Sequence, residues 1–334
     1  MRITGEPPLR QSGQPIAWSR VDPKIRSDDD GKRKSAALPH RHRSGRTDPR
    51  RYPGRTELMT HMNSPTSVPS RTLVTYSLDG PAVRLRLDSP HNRNALSAEL
   101  VRQLRRCLQR ASTEPEVRAV VLGHTGSTFC AGADLNEPTQ CVETPESGAD
   151  PDFQAAARRA HDLTALLRSI VECPLPVIAA VDGHVRAGGL GLVGACDMAV
   201  AGPRSTFALT EARIGVAPSI ISLVLLPKMT PRSAGRYFVT GESFSAAEAA
   251  SNGLVSMATD NLEESIAALV ATLAKASPQG LAESKALTTT SILAGFDSAA
   301  RQLAEHSARL FVSPQAREGM LAFLQKRPPQ WTNR

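Results

Sequence analysis

The residues best suited to chemistry fall in three short runs. Glu211, in Ala208-Leu209-Thr210-Glu211-Ala212-Arg213, is a carboxylate able to take and return protons if its surroundings tune it. The run Gly188-Gly189-Leu190-Gly191-Leu192-Val193-Gly194 follows a predicted strand and spells G-x-G-x-x-G from Gly189, which raises a dinucleotide site. Glu211 even lies about 20 residues on, where a ribose-binding acid belongs. The context argues against it. In that fold the strand runs almost directly into the first glycine, whereas Asp182 to Gly188 intervene here, and Glu211 does not sit at the tip of a second strand. A glycine pair opening a helix suits another purpose: with no Cβ in the way, a ligand can approach exposed backbone N–H groups, which makes an anion or oxyanion site. Taken alone, these glycines could equally serve to pack the helix on a sheet. Ala131-Gly132-Ala133-Asp134, taken alone, is an ordinary turn.

Other chemistries find less support. His91, His124, His161, His184 and His306 show no ligand spacing with acids, so no metal is implied. The five cysteines (Cys107, Cys130, Cys141, Cys173, Cys196) are odd in number, scattered and free of C-x-x-C, which reads as reduced thiols in a cytoplasmic protein. No apolar run approaches the ~18 residues of a membrane span, and the first 30 residues lack the apolar stretch of a secretory signal.

The net charge of +8 suggests nucleic acid until it is located. Residues 1–70 hold 14 Lys/Arg against 7 Asp/Glu, leaving 26 against 25 for the rest, with no basic stripe interleaved with aromatics. No nucleic-acid partner is expected. This Arg-, Pro- and Ser-rich stretch lacks apolar periodicity and is read as a disordered tail, too acidic for a transit peptide. Met59 and Met62, just ahead of the folded part, offer alternative starts of translation.

From Leu73 the pattern changes. Leu73 to Tyr76, an Asp79-Gly80 turn, then Val83, Leu85 and Leu87 in alternation predict a hairpin. A helix is predicted from Ser97, with Leu100, Leu104 and Leu108 on one face. Strands are predicted at Arg118 to Gly123, Pro176 to Val181 and Met198 to Ala201, and helices at Leu262 to Ala276, Ser298 to Phe311 and Pro314 to Gln325. The expectation is an α/β fold: a tail over 1–70, a core over 71–260 and a helical oligomerisation region over 261–334.

Several segments, in one order, carry a resemblance. Ser89-Pro90-His91-Asn92-Arg93-Asn94-Ala95-Leu96, Thr128 to Leu135, Pro176 to Gly183, Phe207 to Pro218 and the closing Ala316 to Arg327 resemble successive landmarks of the enoyl-CoA hydratase/isomerase (crotonase) superfamily, over about residues 72–331. The resemblance implies a spiral of ββα units assembled as a homotrimer or hexamer. It also implies an acyl-CoA thioester substrate, with coenzyme A entering only as part of the substrate, and a lyase of lipid metabolism. The oxyanion amides become those of Ala133 and Gly188, with Glu211 as acid/base. Arg93, Ala131, Asp134, Leu135, Gly189 and Gly191 fall among substrate- and CoA-binding positions. Lys326 is either a reach to CoA phosphates across a subunit interface or a solvated lysine.

The match is incomplete at Gly191, where typical two-glutamate hydratases place their second glutamate. Three readings stay open: a one-glutamate hydratase whose branched or carboxylated substrate uses the space Gly191 vacates, an isomerase shuttling one proton on Glu211, or a silent acyl-CoA binder. Gly189 to Asp197 and Ile220 to Glu242 are similar to bacterial 3-methylglutaconyl-CoA and isoprenoid-glutaconyl-CoA hydratases, which favours the first. Arg186 could then pair with a substrate carboxylate through its bidentate fork, or serve a subunit or phosphate contact. Glu137, Glu143 and Glu146 are the other candidate bases.

Overall fold

The computed structural model describes residues 71–137 and 150–333. The basic tail, with Met59 and Met62, and Cys141, Glu143 and Glu146 lie outside the described residues. In chain order the elements are β1 (Val74–Asp79), β2 (Ala82–Leu87), α1 (Ala98–Ala111), β3 (Ala119–His124), β4 (Thr128–Cys130), α2 (Pro151–Glu172), β5 (Val177–Val181), β6 (His184–Arg186), α3 (Gly188–Ala195), β7 (Met198–Ala201) and β8 (Thr206–Ala208). There follow a 3-10 turn (Thr210–Ile214), α4 (Ser222–Leu225), α5 (Pro231–Thr240), β9 (Phe244–Ser245), α6 (Ala246–Ser251), β10 (Met257–Ala258), α7 (Leu262–Leu273), α8 (Pro278–Phe311) and α9 (Pro314–Leu324).

Two sheets result. The larger has the order β1-β2-β3-β5-β7-β10, parallel except for the β1–β2 hairpin. Its central strand β5, Val-Ile-Ala-Ala-Val, is buried on both faces, as a strand covered from both sides requires. One face carries the main core with Leu100, Leu104 and Leu108 of α1, whose first turn is capped by the Ser97 hydroxyl accepting from the Leu100 amide at 3.3 Å. The other face seats Ile266 of α7 among Ala119, Val121, Ile178, Ala180 and Val200. The smaller sheet has the order β4-β6-β8-β9, with β4, β6 and β8 parallel.

The α/β expectation holds, with two extensions. α2, 22 residues long, supplies Leu166, Leu167 and Ile170 to the core. The helix expected from Ser298 begins at Pro278, where the Ser277 hydroxyl accepts from the Gly280 amide at 3.1 Å. The last three helices each pack against this chain itself. α7 covers the sheet, and α8 lies along α2, sinking Ile292 and Phe296 into the main core.

Lys285 of α8 fixes that packing: its ammonium pairs with Asp197 at 2.7 Å and donates to the carbonyls of Ile170 (2.9 Å) and Leu175 (3.1 Å). Among the described residues no helix is long and apolar enough to cross a membrane.

Candidate active site

Three neighbouring parallel strands end side by side. β4 leads into Ala131-Gly132-Ala133, β6 into Ala187-Gly188, and β8 into the 3-10 turn that holds Glu211. Register fixes this convergence, because Arg186 pairs with Ala208 and the Ala187 amide donates to the Ala208 carbonyl at 3.0 Å. The carboxyl ends of adjacent parallel strands are where such folds bind ligands.

The first two segments touch through backbone. A Cβ built on Gly132 would lie 2.9 Å from the Ala187 Cβ and 3.3 Å from the Gly188 nitrogen. Only glycine, here at φ 88°, permits that approach. Gly132 also receives the Leu96 amide on its carbonyl at 2.8 Å and donates its own N–H to the buried Cys130 sulfur at 3.5 Å. Gly188 opens α3 after Ala187, which is held at φ 48°, ψ −124°. That conformation is costly for a residue with a Cβ, and such strain persists only where surrounding structure enforces it. Among the described residues the amides of Ala133 and Gly188 donate to no other group, so two N–H donors remain free where the segments meet. Leu96 and Leu163 flank Gly188 with their methyl groups.

The sequence fingerprint now divides by role. Gly188, ahead of it, presents an amide, whereas Gly189, Gly191 and Gly194 are buried packing positions against Cys130, Ile221 and Leu225 respectively. At Gly189 and Gly191, expected on the substrate side, the direction a side chain would take is therefore filled by the protein itself. The idea that Gly191 vacates space is corrected, because Ile221, only 2% exposed, takes it.

Glu211 is 7% exposed, and its Oε2 has no hydrogen-bond partner among the described residues. Burial pushes its carboxyl up to about 7, offset in part by its own amide, and no neighbouring charge among the described residues contributes to the shift. A carboxyl that is half ionised near neutrality and holds one idle oxygen can both accept and release a proton. The Cys130 thiol, pushed up to about 12 by burial, stays protonated and is no nucleophile.

The remaining candidates serve other contacts. The Arg186 fork is occupied by Thr206, through its carbonyl at 2.8 Å and its hydroxyl at 2.9 Å, and by the Val185 carbonyl. These contacts take three of its five N–H donors and turn one edge of the fork towards the backbone of its own sheet. Asp134 accepts from the Asn92 side chain at 3.0 Å, tying the Asn92-Arg93 turn to the loop after β4, while the Arg93 carbonyl receives the Ala131 amide. Leu135 is half-buried in that loop, and Lys326 is exposed after α9. Glu137 caps the first amide of α1, at Ala98. Among the described residues no group of three His, Cys, Asp or Glu is placed to hold a metal.

Leu163, beside Gly188, and Leu167 and Ile221, packed on Gly191, were given no role by sequence reasoning. For the first two a signal existed: Leu163, Leu166, Leu167, Ile170 and Val171 recur at helical spacing.

Comparison with known proteins extends the picture. The sequence profile described as enoyl-CoA hydratase/isomerase matches residues 81–334. The crystal structure of an enoyl-CoA hydratase from Mycobacterium avium superposes with a TM-score of 0.71 at 58% identity, covering 78% of this chain and 99% of that one. An enoyl-CoA hydratase of Mycobacterium smegmatis gives a TM-score of 0.59 at 32% identity, over 78% of this chain and 100% of that one. The carnitinyl-CoA dehydratase of Proteus mirabilis is 30% identical over 263 residues, 76% of this chain and 96% of that protein.

Proposed function

Because this chain belongs to the enoyl-CoA hydratase/isomerase family, we propose that it adds water to, or removes it from, an α,β-unsaturated acyl-CoA thioester, with Glu211 as its acid/base. The observation that carries this reading is the buried Glu211 carboxyl with an unpartnered oxygen, at the end of the strand adjoining the free Gly188 amide.

In the hydration direction Glu211 takes a proton from water as the water oxygen bonds to the β-carbon. The electron pair of the double bond moves onto the thioester oxygen, where the amides of Ala133 and Gly188 hold the charge. Each fixed donor of this kind is worth about 3–4 kcal/mol of transition-state stabilisation. Glu211 then returns the proton to the α-carbon as the carbonyl re-forms. A carboxyl titrating near 7 is populated in both forms at neutral pH, which suits this double duty.

An uncharged acyl group suits such a site, since among the described residues no cation is paired with Glu211. The mechanism calls for no cofactor beyond the coenzyme A of the substrate, and a homotrimer or hexamer accounts for the exposed Leu321, Phe323, Leu324 and Trp331.

A second reading, double-bond migration, is favoured by the absence, among the described residues, of any second acid contributing to Glu211: one carboxyl suffices to move a proton between carbons. The test is Glu211→Gln against a panel of linear, branched and dicarboxylic acyl-CoAs. Roughly 10² to 10⁴ should be lost in kcat with acyl-CoA affinity retained. Turnover surviving the substitution removes Glu211 from the mechanism, and a wild type that neither hydrates nor isomerises any member leaves acyl-CoA binding alone.

A further inference from the structure

α9 contributes no group to the chemistry above, yet it lies against the turn that holds Glu211. Its buried face is Ala316, Gly319 and Ala322. A Cβ on Gly319 would stand 2.5 Å from the carbonyl carbon and oxygen of Ile214 and 2.6 Å from its Cα. One residue further, a Cβ on Gly215 would stand 2.7–2.9 Å from backbone atoms of Gln315 and Ala316. Helix and turn thus meet backbone to backbone, where no change of side-chain rotamer could relieve an added methyl.

Both partners are held. Arg327 grips Glu318 with two nitrogens, at 2.7 and 3.0 Å, and the Gln330 amide adds a third bond at 3.0 Å. The Ser313 hydroxyl caps α9 on the Ala316 amide at 3.2 Å. The turn is closed by the Val216 amide on the Glu211 carbonyl at 3.1 Å and is tethered to β8 ahead of it.

We propose that Gly319 is a positioning residue for Glu211: the bare backbone of α9 at this point sets the depth at which the turn seats the carboxyl, and the Glu318–Arg327 clamp binds the segment after α9 back onto the helix beside Gly319. The inference rests on the reading of Glu211 as the acid/base. Displacing Ile214 by the room a methyl needs moves a turn of only five residues, and a misplacement of about 1 Å caused away from the chemistry can cost on the order of a hundredfold in rate.

The test pairs Gly319→Ala with Gly235→Ala. Gly235 lies on α5, which packs on the same turn, but a Cβ there meets nothing within 4 Å. Gly319→Ala should lower kcat at least about tenfold with KM within about twofold of wild type. The titration midpoint of Glu211 should move at least about one pH unit down from its value near 7 as water reaches the carboxyl. That midpoint is read by the infrared band of the protonated acid, assigned with Glu211→Gln. Gly235→Ala should match wild type in all three. Where Gly319→Ala does not fold, Glu318→Gln, which loosens the clamp, is read by the same criteria. An unchanged kcat and midpoint, or equal losses in the Gly235 variant, overturn the proposal. If no acyl-CoA is turned over by wild type, the proposed function fails, while the infrared midpoint still decides whether Gly319 sets the environment of Glu211.

Discussion

Ile221 stands where a side chain on Gly191 would go: a Cβ built there falls 2.5 Å from Ile221 Cγ2 and 3.3 Å from Leu167 Cδ1. The position that could carry a second acid is closed by hydrocarbon. Gly191→Glu should therefore lose at least about 3 kcal/mol of stability, from overpacking and from burial of an unpaired carboxylate. It should also lose turnover on every acyl-CoA, linear or branched. Adding Ile221→Ala should recover part of the stability. Denaturant midpoints of the two variants check this, and a Gly191→Glu protein as stable as wild type would show that the wall yields.

The raised Glu211 carboxyl makes stability depend on pH with a defined sign. In the unfolded chain it titrates near 4.5, and in the fold near 7. Between these values the folded state binds the extra proton, so stability falls as pH rises through the window, by roughly 3 kcal/mol in all. Glu211→Gln cannot ionise. It should be more stable than wild type by about that amount at pH 8, with the difference shrinking towards pH 4. Chemical denaturation of both proteins at the two pH values measures it, and parallel curves would mean Glu211 titrates normally.

In the hydration direction the ionised form of Glu211 is the base. Accordingly kcat/KM should climb with pH through an acid limb centred near 7 and level off above it. A limb centred in the ordinary carboxylate range would place the carboxyl in water.

Lys285 is 5% exposed at its side chain, and its removal strands Asp197 at 14% exposure. Breaking one partner of a buried pair typically costs about 3–5 kcal/mol. Lys285→Ala should show that loss in thermal or denaturant unfolding while leaving acyl-CoA affinity nearly intact in the folded fraction. A loss under about 1 kcal/mol would mean that water replaces the ammonium.

Phe323 is 58% exposed, with Leu321, Leu324 and Trp331 nearby in sequence. Such a cluster on one helix and the segment after it suits burial by other copies of the chain. Light scattering of wild type should give the mass of a trimer or hexamer at micromolar concentration, and Phe323→Ser should lower it. A monomeric wild type would overturn the assembly.

Much of this was legible in the sequence, for reasons that also mark where it stopped. Strands such as β5 and helices such as α1 announce themselves because one period runs through enough residues to count. Glu211, Gly188 and Ala133 were named because their segments kept family order, and each follows one of the neighbouring parallel strands β8, β6 and β4. Those strands are three residues each, too short to show alternation, so the sheet that builds the site could not be read. The first part of α8 stayed hidden behind Thr288-Thr289-Thr290, a poor helix-forming run whose hydroxyls turn back to the carbonyls of Lys285 and Ala286 at 2.8–2.9 Å. Gly191 was misjudged because a missing side chain looks like empty space until the residue filling it, thirty positions on, is known.

Cys130 lies beneath the turn that presents the Ala133 amide, its sulfur accepting from Gly132 and its thiol held protonated by burial. For an inhibitor chemist this closes a route. An electrophilic warhead aimed at the only cysteine among the described residues of that turn meets neither thiolate nor access, and peroxide has no sulfenic acid to form there while the fold is intact. Alkylation or oxidation of Cys130 would instead record how often the β4 turn lifts away from α3, which makes this sulfur a built-in gauge of local opening.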